Sequence, residues 1–327
     1  CGAVIMANTV TRGIANVGAL AVNGSGFNAG SGAPASGTSG TGAKAHSFGP
    51  GSLYMDTATK VIYVNENTQA SPYWTPVSYD QSGIRAWHSD FRGHSEKAAS
   101  NTDATAILAE SGLRVHGQGI AETDSGFTVA GVAEAGSLGS LLTTNETAHV
   151  AALGVGDTTL PFQPDTHGPI VIDVEFTQNT AITARATFCG FIGAAANALD
   201  PVCTGSSTTI TLVLDDVAGL FQDSGLTDAD GVFAPHNKSN EAASLATTAT
   251  GVDCSTTISA AGTFQRWRVE ISTAGVMTCF VNKTQVTSIS ASLDADEEVA
   301  PSFYVESNAS AVKTCDVRRF ATWGKRA

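Results

Sequence analysis

The chain has 327 residues, of which 14% are charged and 7% aromatic, and its formal net charge is −13. That length suffices for one large or two smaller domains. An acidic balance of this size excludes nucleic acid or an anionic membrane as the main partner, since neither phosphates nor headgroups attract such a surface. The remainder leans on Ala, Gly, Ser, Thr and Val, a mixture that favours strands joined by many loops over helices.

The start, "CGAVIMANTV", has neither a basic segment nor an apolar run of useful length, so no uncleaved signal peptide is expected. Cys1 reads either as a lipid-bearing first residue or as upstream sequence before a start at Met6. No run approaches the roughly 20 apolar residues of a membrane span, and none is predicted. The six cysteines, Cys1, Cys189, Cys203, Cys254, Cys279 and Cys315, lack metal-site spacing. Two readings of them stay open: one or two bridges, with Cys189 and Cys203 nearest in sequence, or buried free thiols.

Residues 1–50 include "NGSGFNAGSGAPASGTSGTGAKAHSFGPG", where Gly and Ser leave almost nothing to bury, and the composition predicts an extended arm. From Gly51 the pattern changes to "GSLYMDTATKVIYVNENTQASPYWTPVSYDQSG". Leu53–Met55 and Lys60–Val64 flank the turn-forming "DTAT", which predicts a hairpin, with Trp74 and Tyr79 on a third strand; residues 51–92 form a small aromatic-rich β module. Tyr54, Tyr63, Trp74 and Trp87 are candidates for stacking on a glycan or a partner; the alternative is that a tiny module packs its only large rings together. Residues 93–125 read as a connector in which "SEKAASNTDATAILAES" has weak helical character.

Residues 126–327 carry short β-rich runs between turn signals: "GFTVAGVA", "SLLTTN", "HVAALGV", "PIVIDVEFT", "AITARATFCGFIG", "TTITLVLDDV", "FQRWRVEIS", "VMTCFVNKTQV", "SFYVES" and "TCDVRRFATW". With no convincing helix between them they predict an all-β fold ending in an antiparallel jelly-roll sandwich. In "RWRVEIS", Trp267, Val269 and Ile271 fall on one face and Arg266, Arg268 and Glu270 on the other. Val174 and Phe176 are expected to point inward, with Asp173 and Glu175 on a solvent-facing strand edge.

The order of these runs from "PIVIDVEFT" to "CDVRRFATW" resembles concanavalin A-like jelly rolls of the laminin-G and legume-lectin type. Separately, "GSLYMDTATKVIYVNENTQASPYWTPVS" resembles a short segment that recurs in virion proteins of tailed bacteriophages, in head decoration proteins and in tail fibres. Together these resemblances imply a bacteriophage capsid decoration or cement protein on the outer surface of the virion. Its partners would be the major capsid protein and further copies of itself, commonly as a trimer, with no nucleic acid and no membrane. The alternative they imply is a tail-fibre or adhesin module that binds host surface glycans.

Catalytic signals are weak. Retaining glycosidases on this kind of sandwich carry Glu-x-Asp-x-Glu along one strand, whereas "VIDVEF" places Val171 where the nucleophile belongs, beside Asp173 and Glu175, so no enzyme activity is predicted. Asp223, Asp228 and Asp230 in "DSGLTDADGVF" are weak calcium candidates without the terminal Glu of an EF-hand loop. "DADEEV" reads as an exposed acidic loop, the seven histidines form no metal template, and no nucleotide or cofactor fingerprint is present.

Overall fold

The computed structural model describes residues 26–41, 49–79, 81–91, 105–107, 113–116, 126–130, 138–142, 149–155, 160–178, 182–193, 201–214, 216–237, 244–290 and 292–327. Cys1, Met6, the ends of the expected arm and most of the 93–125 connector lie outside them. The chain divides into two compact units, residues 1–83 and 84–327.

The first unit is a four-stranded sheet in the order Phe27–Gly30, Leu53–Asp56, Ile62–Asn65, Trp74–Pro76. Its predicted hairpin forms around Asp56, whose Oδ1 accepts the Ala58 amide at 2.9 Å and whose Oδ2 accepts the Thr59 hydroxyl at 2.6 Å. The same Oδ1 accepts the Gly32 amide at 2.8 Å. This carboxylate therefore joins the turn to the Gly/Ser-rich segment, and residues 26–41, expected as part of a free arm, belong to the module. Phe27–Gly30 runs parallel to Leu53–Asp56. Gly30 is required there because a Cβ would collide with the Tyr54 hydroxyl. The following turn closes over Trp74, whose indole donates to the Thr41 carbonyl at 3.0 Å.

The second unit is an all-β sandwich of largely antiparallel strands, built from two eight-stranded sheets. The first sheet runs Asp253–Thr257, Gly231–Phe233, Ala218–Asp223, Arg185–Ile192, Ala300–Ser307, His149–Gly154, Arg114–His116, Thr105–Ile107. The second runs Thr284–Ile289, Met277–Val281, Gln265–Ile271, Ile170–Gln178, Thr314–Lys325, Leu138–Leu142, Gly126–Ala130, and Ile84–Ser89 also pairs with Thr314–Lys325. The boundary therefore falls at Gly83 and not at residue 92, because Ile84–Ser89 hydrogen-bonds along the last strand from Ile84↔Lys325 to Ser89↔Phe320. Thr105–Ile107, inside the stretch with helical character, is a strand paired with Arg114–His116.

The inward faces meet in one core that includes Phe176, Trp267, Val269 and Ile271 from the second sheet and Leu153, Phe191, Leu220 and Phe303 from the first. Each such side chain stabilises the fold by about 1.5–3 kcal/mol. The alternation read from "RWRVEIS" and from Val174 and Phe176 holds. Asp173 is the exception among the residues flanking them: its strand lies inside the sheet, between Gln265–Ile271 and Thr314–Lys325, and the carboxylate is fully buried, not on an edge. Two tight turns shape the late strands. Gly275 takes φ +72 where a Cβ would strike the Leu293 carbonyl. Asn282 and Lys283, with φ 50 and 68, make the two-residue connection between Val281 and Thr284, so "VMTCFVNKTQV" is two strands.

A second core lies on the other side of the first sheet. There a three-stranded sheet, Cys203–Ser206, Thr209–Leu212 and Ser244–Ala246, contributes Cys203, Ile210 and Leu212 against Phe188, Phe221, Tyr304 and Ala186. Cys203 thus sits on the opposite side of the first sheet from Cys189, whose side chain joins the main core, and the two form no bridge. Cys189, Cys203, Cys254, Cys279 and Cys315 are all buried free thiols. Burial raises the pKa of each, to about 12 for Cys254 and Cys315. Treatment of the native protein with iodoacetamide at pH 8, followed by peptide mapping, should leave these five unmodified, and unfolding in guanidinium should expose them all; rapid labelling of any one in the native state would contradict its placement.

Candidate functional site

The outer face of the second sheet is a lattice of paired charges. Asp173, on the Ile170–Gln178 strand, receives the Arg266 guanidinium through Nε at 2.6 Å and a second bond from Nη2, and Arg319 Nη2 lies 4.0 Å away. The register sets Asp173 opposite Arg268 and Glu175 opposite Arg266, so the Arg266–Asp173 pair is a diagonal one. Arg268 pairs with Glu270 at 2.6 Å and lies over the Trp323 ring at 4.9 Å. Arg318 donates to Glu175 at 3.0 Å and covers the Phe264 ring at 3.6 Å. Burial alone would raise the Asp173 pKa; the Arg266 charge and its hydrogen bonds, with Arg319 and Arg268 behind them, override that and hold the carboxyl well below the usual carboxylate range.

Beside this lattice is an open pocket of about 290 Å³ lined by Glu175, Phe264, Gln265, Arg266, Asn282 and Lys283. One wall is the left-handed Asn282–Lys283 turn, held to the neighbouring strand by the Arg266 amide, which donates to Asn282 Oδ1 at 2.9 Å. The pocket offers the Phe264 ring beneath Arg318, the Asn282 amide, and charges of both signs, Lys283 and the Asp173-bound Arg266 beside Glu175, a set that suits a polar ligand more than an apolar one.

Neither carboxylate of "VIDVEF" is poised for acid–base work. Asp173 is a buried anion bound to an arginine, and Glu175 is salt-bridged to Arg318. A pair with raised pKa values does exist, out of reach of substrate. Asp223 and Glu306 face the second core on either side of Ala186, under the three-stranded sheet. Asp223 accepts the amides of Gly205 and Gly225 and the Asn308 side chain, each at 2.7 Å. Burial raises its pKa despite those bonds. Glu306 is 4% exposed with Oε2 unpartnered; burial first, and the Asp223 charge second, push its pKa up to about 8.

The weak calcium candidates therefore separate. Asp223 is a structural acceptor whose oxygens are occupied by three N–H donors, while Asp228 lies against Asp230 on the turn, its pKa raised by burial and then by that neighbour. Among the described residues no group of three His, Cys, Asp or Glu side chains is set to hold a metal ion. The stacking candidates are not assembled into a platform either. Tyr54, Tyr63 and Trp74 are buried inside the first unit, with Tyr54 and Trp74 tilted at 59° and 5.9 Å apart. Trp87, in the second unit, is half-buried beneath Arg85 at 5.1 Å and edge-on to Phe162. Sequence reasoning missed the charge lattice and Glu306; the Arg-x-Arg-x-Glu alternation announced a polar face, but only the strand register tells which acid each arginine meets.

No protein-family model matches the chain. No curated protein sequence matches it. Among solved structures it is similar to the carbohydrate recognition domain of Emp47p, at 10% identity over 76% of this chain and 100% of that one, with a TM-score of 0.44. It is also similar to peanut lectin, at 11% identity over 74% and 97% of the two chains with a TM-score of 0.44. A third likeness is to a carbohydrate esterase from the Shiga toxin-encoding bacteriophage phi24B, at 12% identity over 71% and 99%, with a TM-score of 0.39. At these identities and scores nothing about ligand or activity passes from those proteins to this chain.

The Glu306 carboxyl generates a test. Its folded pKa of about 8 lies above the ordinary 4.5, so between those values the folded state keeps a proton that the unfolded state has released. Stability must then fall as pH rises through that window, by up to about 1.4 kcal/mol per pH unit from this group. Urea unfolding of the wild type and of Glu306→Gln at several pH values from 5 to 8 should show the variant losing most of that slope; parallel pH dependences would contradict the assignment.

Proposed function

We propose that this chain is a non-enzymatic structural protein of a bacteriophage virion, a decoration or cement protein that attaches to the capsid shell and stabilises it. The observation that carries the reading is the Gly/Ser-rich segment around Phe27–Gly30, which is ordered by adding a strand to an existing sheet edge. A chain of that composition gains order by main-chain pairing with a β surface, the mode by which an arm fastens onto a neighbouring subunit. The resemblance of residues 51–78 to a virion segment supports the same reading. The large rings of the first unit are used in internal packing, which favours neither a glycan platform nor a partner contact through them. Several copies acting together would offset the entropy of ordering each arm.

A second reading, a module that binds an acidic host glycan, is favoured by the pocket of Phe264, Arg266, Asn282 and Lys283. A single experiment separates the two. Purified protein, whole or lacking residues 1–25, is mixed with capsids assembled without it and followed by sedimentation and electron microscopy. The decoration reading expects regular occupancy, weakened by the truncation, and a higher Tm of the shell. Absence of shell binding, with retention on an anionic polysaccharide column that Arg266→Ala abolishes, would replace it with the glycan reading.

A further inference from the structure

At one end of the sandwich the core turns polar, around a cation without an acid. Arg185 opens the Arg185–Ile192 strand with its side chain in the interior, on the same face as Thr187, and is 0% exposed. Its guanidinium makes one hydrogen bond, from Nη2 to the Thr314 carbonyl at 3.0 Å, while Nε and Nη1 are buried without partners. Thr187 lies opposite Gln222 in the register and accepts Gln178 Nε2 at 3.4 Å. The Oε1 atoms of both glutamines are also buried without partners. Lys313, held by the Thr183 carbonyl at 2.9 Å, adds a second positive charge; its pKa is lowered by burial and then by Arg185. Among the described residues no carboxylate pairs with Arg185.

A desolvated guanidinium costs several kcal/mol unless an opposite charge is brought to it. Water can satisfy its N–H groups but leaves the charge uncompensated. Orphaned donors clustered in a native interior mark the place of a bound molecule or ion. The carboxylates of the neighbouring sheet that do pair with arginines are engaged elsewhere: Asp173 with Arg266, Glu270 with Arg268, Glu175 with Arg318. We infer that the polar end of the sandwich binds one small monovalent anion of halide size, held by Arg185 Nε and Nη1, with the Gln178 amide beside it. Turning the Gln178 amide over lets its oxygen accept the Thr187 hydroxyl and frees its NH2 for the anion, and side-chain amide orientation is free to follow the hydrogen bonds in this way.

The anion acts as a structural counter-ion, tying Ile170–Gln178 of one sheet to Arg185–Ile192 of the other where apolar packing gives out. Bromide is the probe. Crystals of the wild-type protein grown or soaked in sodium bromide should give an anomalous peak within hydrogen-bond distance of Arg185 Nε and Nη1. In solution, Tm should climb with the logarithm of bromide or chloride concentration relative to sodium gluconate at matched ionic strength. Arg185→Met should lose that dependence; should the variant not fold, the wild-type map and titration decide. An empty anomalous map with only water bridging Arg185, equal Tm values in halide and gluconate, or a halide response retained in Arg185→Met would each overturn the inference.

Discussion

Phe188 and Cys189 are neighbours in the chain, both without solvent exposure, and they face opposite ways. Phe188 stacks on Tyr304 at 5.4 Å in the second core, while Cys189 packs in the main one. This two-sided burial of the Arg185–Ile192 and Ala300–Ser307 strands is the constraint on which the rest depends. Every residue of both strands is buried, so the period-two alternation of an ordinary sandwich strand is replaced by a continuous low-polarity run. The three-stranded sheet is needed because the first sheet would otherwise present Phe188, Phe221 and Tyr304 to water. It also explains why Glu306, at a position where a one-sided sheet would leave it solvated, keeps its proton near neutrality.

The second sheet solves the opposite problem. Its outer face is polar, and its charges neutralise one another, Asp173 with Arg266 and Glu175 with Arg318 across strands, and Glu270 with Arg268 along one strand. For the two buried pairs, Arg266–Asp173 and Arg268–Glu270, removing one member typically costs about 3–5 kcal/mol, because the other charge is left uncompensated, whereas the more exposed Arg318–Glu175 pair contributes far less. Beside the self-paired charges of the second sheet lies the open pocket lined by Glu175, Phe264, Gln265, Arg266, Asn282 and Lys283.

Much of the architecture was legible in the residues. "RWRVEIS" and "PIVIDVEFT" carried their alternation openly, and "DTAT" between aromatic and β-branched runs was enough to place a hairpin. The failures have physical causes. Asn282–Lys283 lacks the glycine that advertises a two-residue turn, so two strands read as one. Cys203–Ser206 and Ser244–Ala246 are too short and too polar to stand out, and they are strands only because the apolar face beneath them needs a cover. Ile84–Ser89 adjoins the aromatic module in sequence, whereas its pairing partner lies at the far end of the chain. The candidate rings and carboxylates were recognisable by type, but whether a tyrosine stacks on a ligand or on a tryptophan, and which acid an arginine finds, is set by tertiary register.

The central claim is that the face bearing Phe188, Phe221 and Tyr304 is permanently closed, and native-state hydrogen exchange tests it most directly. Closure predicts that amides of the cover, such as Gly205 and those of Thr209–Leu212, exchange only by global unfolding, with the same denaturant dependence as the Arg185–Ile192 strand beneath. Cover amides exchanging through a faster, denaturant-independent local opening, while the sheet below stays protected, would contradict it and make that aromatic face an accessible one.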